Sequence, residues 1–178
     1  MEMLDRLIRA VRLDPRLYRE AAETEAYTTE AFLIVLVTAM FSAIGTAVAA
    51  NRPLVAFITQ AVNSVLVGWV VWAVVAYVVG AMFGGQSTVN ELLRALGYAT
   101  APRFIGLLGF IPCVGWLFVL AAWLISLAAG VLAIREAMEF DTVKALITAG
   151  IGWVITVIIA IILGLIFGGL AAVGRAAF

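Results

Sequence analysis

Residues 104–134 read FIGLLGFIPCVGWLFVLAAWLISLAAGVLAI, with no charged residue. How this stretch folds decides how often the chain crosses a membrane. One spanning helix needs about 20 apolar residues. The stretch is too long for one ordinary span and too short for two. Pro112 and Gly115 lie near its middle and mark a turn. If the chain reverses there, one span must borrow residues from before Arg103. It then runs from Leu92 to Ile111 with a kink at Pro102, and the next runs from Gly115 to Ile134.

Outward from that stretch the pattern repeats. Runs 31–51, 53–90 and 145–174 also lack charge, although hydrophobic residues make up 65% of the whole chain and charged residues 12%. That charged share is about half the usual value for soluble domains, so a soluble globule is excluded. The first span is expected over Ala31–Ala50, closed by the Asn51-Arg52-Pro53 turn. The second covers Leu54–Phe83 and ends at Gly84-Gly85. Thr88 and Glu91 have capping-box spacing and open the next helix. A polar connector, Arg135–Lys144, precedes a fifth span from Ala145 to Leu170. The sequence therefore predicts an all-α, polytopic transmembrane bundle of five spans. A cytoplasmic N-terminus puts most of the Lys and Arg inside and only Arg52 and Arg175 outside, as the positive-inside rule asks. Keeping 104–134 as one tilted helix gives four spans and a weaker asymmetry; the Pro112 turn favours five, with Cys113 in an outer turn.

Residues 1–30 form the cytoplasmic segment, and 31–178 the membrane domain. Residues 2–12 are not expected to be a signal peptide, because Arg6, Arg9 and Arg12 alternate with Leu4, Leu7, Ile8 and Val11 at helical spacing. That amphipathic pattern suits an interfacial helix on the inner leaflet. Asp14-Pro15 reads as an N-cap and first helical residue of a second helix towards Thr28. Arg16 with Glu20 and Arg19 with Glu23 are spaced to pair on its surface.

Net charge is zero, there is no His, and Cys113 is the single cysteine. Nucleic acid is not an expected partner. No catalytic motif, cofactor fingerprint or metal-ligand set is present. A non-enzymatic protein without cofactors or metals is expected. Small residues recur every fourth position along the last span: Thr148, Gly152, Thr156, Ala160, Gly164, Gly168 and Ala172. Such a stripe packs helices closely, within one bundle or between copies in a homo-oligomer.

The candidate polar or lipid site comprises Arg103, Arg94, Gln60 and Asn63. Arg103 falls deep in the third span, where a charge is costly. It either snorkels towards the inner interface or serves a polar cavity or lipid phosphate. Gln60 and Asn63 share a helix face and serve either helix–helix hydrogen bonding or permeation.

These pieces together resemble the Yip1 family of five-span membrane proteins, as a prokaryotic-type member. The resemblance rests on Leu13-Asp14-Pro15-Arg16-Leu17-Tyr18, on Leu92–Pro102 with its Gly97-Tyr98…Pro102 spacing, on the Ile111-Pro112 turn and on Arg135-Glu136. Asp14, Leu17 and Tyr18 are loosely similar to the Asp-Leu-Tyr-Gly-Pro motif of eukaryotic members, whose Gly-Pro is absent here. The resemblance implies a multi-pass protein, here of a prokaryotic inner membrane. Eukaryotic members act in vesicle traffic with small GTPases of the Rab class. The leading expectation is a membrane-organising or trafficking-like scaffold, bound to the lipid bilayer and to a cytoplasmic protein partner. The alternative is a passive transporter, channel or lipid-moving protein that uses a polar site near Arg103.

Overall fold

The computed structural model describes residues 3–48 and 50–176, with side chains except those of 110 and 167–176. Among the described residues there are helices and no strand. Two short helices, α1 (Met3–Val11) and α2 (Pro15–Glu23), precede α3 (Thr28–Val48) and α4 (Pro53–Met82). Helix α5 (Val89–Tyr98) and a 3-10 segment, Ala101–Phe110, lead to α6 (Gly115–Ala137) and α7 (Thr142–Ala176). Four of these are long and apolar enough to cross a membrane: Glu25–Val48, Pro53–Met82, Gly115–Ala137 and Thr142–Ile166.

The stretch expected as one kinked helix from Leu92 to Ile111 is split. Helix α5 ends at Tyr98, and Ala101–Phe110 winds as 3-10 helix. Pro102 lacks the N–H that would continue an α-helix, and Gly106 and Gly109 weaken helical preference further. At a rise of about 2.0 Å per residue, the ten-residue segment is about 20 Å long, about a third longer than the same residues as α-helix. It runs antiparallel to α6, since a Cβ on Gly106 would meet Ala122 and one on Gly109 would meet Val119. At the turn, a Cβ on Gly115 would lie 2.1 Å from the Gly109 carbonyl oxygen, so the two backbones touch. Cys113 is exposed in that turn.

The helix ends obey local chemistry. The Asp14 side chain accepts from the Arg16 N–H at the start of α2, and Thr88 and Glu91 form the full capping box. Gly84, at φ 83°, closes α4, with the Gly85 N–H donating to the Gly80 carbonyl. The same reversal follows α1 at Leu13 (φ 59°) and α6 at Glu139 (φ 55°), where a side chain must tolerate the left-handed region.

Two expectations for α2 are corrected. It stops at Glu23, short of Thr28, because Arg94 donates to the Ala21 and Ala22 carbonyls. The Arg16–Glu20 and Arg19–Glu23 surface pairs give way to tertiary partners. Glu20 accepts from Arg9, and Arg19 pairs with Glu136.

The core lies at the end of the bundle that carries α1 and α2. Leu17 and Tyr18 are fully buried there against Ala31, Ile34, Leu92, Ala133 and Ile134. Towards the other end, large side chains such as Ile44, Leu54 and Leu120 are exposed. That end suits contact with lipid. The α7 stripe follows the same gradient. Thr148 and Gly152 are buried, with Gly152 against Trp72 of α4, whereas an added Cβ on Gly164 has nothing within 4 Å among the described residues. Gly168 and Ala172 fall outside the described side chains.

Candidate functional site

Two places bring the candidate residues together, and they differ in chemistry. The first is the α1–α2 hairpin and its seat. The Tyr18 hydroxyl donates to the Ala10 carbonyl at 2.8 Å, pinning α2 to α1. Burial pushes the Tyr18 phenol above its ordinary range, which keeps it a neutral donor. Arg9 bridges Asp14 at 2.7 Å and Glu20 at 2.9 Å. The Arg9 guanidinium holds the Asp14 carboxyl below the usual carboxylate range, with backbone donation from Arg16 acting the same way. Asp14, Leu17 and Tyr18 thus build the hairpin.

The hairpin is fastened to the bundle by groups far apart in sequence. Arg94 is buried, and its Nε donates to the Ala21 and Ala22 carbonyls at 3.1 and 3.2 Å. Its Nη2 also donates to Ala22. The guanidinium therefore caps the C-terminus of α2, where cations are favoured. Glu30 accepts both Arg6 donors, at 2.8 and 2.9 Å, and the Tyr98 hydroxyl as well. Arg6 lies 4.7 Å over the Tyr27 ring, which meets Tyr98 edge-on. Gly97 makes this junction possible, because a Cβ there would sit 2.8 Å from the Ala31 Cβ. Arg19 and Arg135 both pair with the buried Glu136 of α6.

The second place is a cavity of about 1020 Å³ among α3, α4, the 3-10 segment, α6 and α7. Phe41, Trp72, Phe104, Trp123 and Trp153 contribute most of its aromatic wall. Arg103 lines it too, and its guanidinium has no hydrogen bond or ion pair with another described residue. The Ser126 and Thr156 hydroxyls also face no partner, although both side-chain oxygens are buried.

The structure does not unite the four polar candidates. Arg94 belongs to the hairpin seat. Gln60 bridges Ser42 and Ser64, each at 3.3 Å, and Asn63 is exposed; neither lines the cavity. Arg103 alone of the four does so. Thr156 reads in sequence as a stripe member, and the orphaned hydroxyls of Ser126 and Thr156 are visible only with neighbours in place. A six-residue π-helical insert, Leu66–Val71, also escaped the sequence; its Gly68 lines the cavity and its Trp69 indole donates to the Leu93 carbonyl at 2.9 Å. Among the described residues no cluster of His, Cys, Asp and Glu could hold a metal ion.

The chain matches the family model of the Yip1 domain over residues 11–173. The chain belongs to the Yip1 family. Comparison with curated proteins and with solved structures gave no match. The matched residues take in the cavity and, of the first place, α2 and its seat, while Arg6, Arg9 and Ala10 of α1 precede them. The family-like residues fasten helices together: Asp14, Leu17 and Tyr18 in the hairpin, Gly97 and Tyr98 at the junction, and Pro102 at the start of the 3-10 segment. This is a Yip1-family membrane protein whose apolar helices contact lipid.

Proposed function

We propose that this Yip1-family protein is a non-enzymatic membrane organiser that binds a protein partner on its cytoplasmic face. The chain crosses five times, with α5 and the 3-10 segment together forming the third crossing and the N-terminus inside. The observation that carries the reading is the polar cap at one end of the bundle. Its ion pairs hold the α1–α2 hairpin rigidly, while Arg12, Arg16, Glu23, Glu139 and Asp141 stay exposed. A rigid surface with both signs of charge suits specific docking more than nonspecific attraction to lipid. The membrane is the inner membrane of a prokaryote in this reading.

Photo-crosslinking from positions 16 and 139 in native membranes tests it. A discrete adduct that disappears with Arg12→Glu plus Arg16→Glu supports partner binding. Absence of any adduct from either position overturns it. Deleting the hairpin is the wrong test, because Leu17 and Tyr18 are part of the core. An impermeant thiol reagent that labels Cys113 from outside supports the topology; labelling only from inside overturns it.

The cavity around Arg103 favours a second reading, a passive transporter, channel or lipid-moving protein. In that case protein in liposomes moves ions, solutes or labelled lipid, and Arg103→Leu abolishes the flux.

A further inference from the structure

A guanidinium in apolar surroundings needs acceptors, because its five N–H groups lose water there. Arg103 is exposed along the open side of the cavity, where the bilayer rather than water surrounds it in this reading. The arginines packed against the hairpin have acceptors. Arg94 holds backbone carbonyls, and Arg6 and Arg9 hold carboxylates. Arg103 has none among the described residues. We propose that the cavity binds one phospholipid, with its phosphate on Arg103 and an acyl chain in the apolar space. This rests on the cavity of the second reading and not on transport.

Three observations converge on that ligand. Arginine offers paired, parallel donors that match phosphate oxygens. The cavity, about 1020 Å³, lies at the upper end of the roughly 300–1,000 Å³ usual for small-molecule sites, and its wall is mostly aliphatic and aromatic. A small hydrophilic anion would leave most of that wall unfilled. Finally, the hydroxyls of Ser126 and Thr156 lie in the lining without partners, and the Thr156 residue is only 9% exposed. The antiparallel register, with Gly109 opposite Val119 and Gly106 opposite Ala122, sets Arg103 opposite the turn that holds Ser126. A phosphate or glycerol ester oxygen at that level could accept from both groups. Entry from the bilayer is open, since Trp123, Leu146 and Trp153 of the wall are 54%, 60% and 52% exposed.

The test uses the purified full-length protein in detergent, freed of endogenous lipid. Thermal unfolding is followed while dioleoylphosphatidylglycerol, dioleoylglycerol or inorganic phosphate is added, and native mass spectrometry counts bound lipid. The phospholipid should stabilise the protein saturably, with one molecule retained, while dioleoylglycerol and inorganic phosphate do not. Arg103→Gln should weaken binding at least about tenfold, and Arg103→Lys should restore part of it. Gly130→Leu should also block binding. Gly130 lines the cavity, and nothing lies within 4 Å of its added Cβ. The change also favours helix, so this variant stays testable if Arg103→Gln fails to fold. Equal stabilisation by dioleoylglycerol, or unchanged binding in Gly130→Leu, overturns the proposal. Stabilisation by inorganic phosphate alone assigns the site to a soluble anion and overturns it as well. Binding is scored at equilibrium, so silent liposomes in a flux assay would count against transport without touching this result.

Discussion

The two ends of the bundle are built from the same helices by opposite means. At the end carrying the hairpin, small residues let backbones approach, and the buried charged groups have partners brought from far along the chain, although the buried Thr148 hydroxyl has none among the described residues. Gly97 meets Ala31, Arg94 caps α2, and Glu30 gathers Arg6 and Tyr98. At the other end the helices diverge around a cavity, Gly164 faces open space, and Arg103, Ser126 and Thr156 stand without protein partners. The contrast separates a part fixed by its own contacts from a part whose contacts are left for something else. An unsatisfied polar group is costly in lipid, so the open end is where a ligand gains most.

The sharpest way to break this comparison is a pair of matched glycine variants. Gly97→Leu drives a side chain into Ala31 and should cost about 3 kcal/mol, seen as a lower Tm in detergent. A Cβ on Gly164 meets nothing within 4 Å among the described residues, so Gly164→Leu should change stability by less than about 0.5 kcal/mol. A large loss at Gly164, or a change of particle size, would put a second copy of the chain against α7.

Next come the polar contacts. Arg94→Leu leaves the Ala21 and Ala22 carbonyls without their donor and should cost about 2 kcal/mol. Gln60→Leu removes bonds to serines on the open half and should cost no more than about 0.5 kcal/mol. Equal effects in thermal unfolding would erase the distinction between the ends.

Much of the fold was legible where the signal is local. Thr88 and Glu91, Asp14 and Pro15, and Gly84 act within one helical turn, so spacing alone announced them. The charge-free runs were read as five spans; four long apolar helices are present, and the remaining expected span, Leu92–Ile111, is a short helix followed by 3-10 winding. What spacing could not show is choice among partners. Arg19 has Glu23 one turn away yet pairs with Glu136, because α2 packs against α6 and brings a buried carboxylate within 2.8 Å. The sequence set Arg103 deep in the third expected span and Arg94 near its start, but named a protein partner for neither. Only the tertiary fold distinguishes a helix cap from a guanidinium facing a cavity. The 3-10 winding of Ala101–Phe110 was half visible: Pro102 signalled a disturbance but not its extent.

Smaller effects probe the fastened end more finely. Glu139 is exposed and occupies a left-handed position, so Glu139→Gly should stabilise by about 1 kcal/mol, raising Tm. Asp14 gives a pH signature. Its folded carboxyl is held below the ordinary range by Arg9, so the stabilisation is complete above the unfolded value. It is lost as pH falls through the lowered one. Between about pH 6 and pH 3, wild-type Tm should fall further than that of Asp14→Asn.

The π-helical insert of α4 has a consequence for rotational phase. A wide turn takes up an additional residue, and each residue of an α-helix advances by about 100°. The helix before Leu66 and the helix after Val71 are therefore out of step with one uninterrupted α-helix. That offset lets the first part aim Gln60 at Ser42 while the second buries Ala73 and Ala76. Deleting one residue within 66–71 would let that turn close as ordinary α-helix with both parts keeping their neighbours. The insert is thus a phase correction, by which a single continuous rod serves a loose end and a tight end at once.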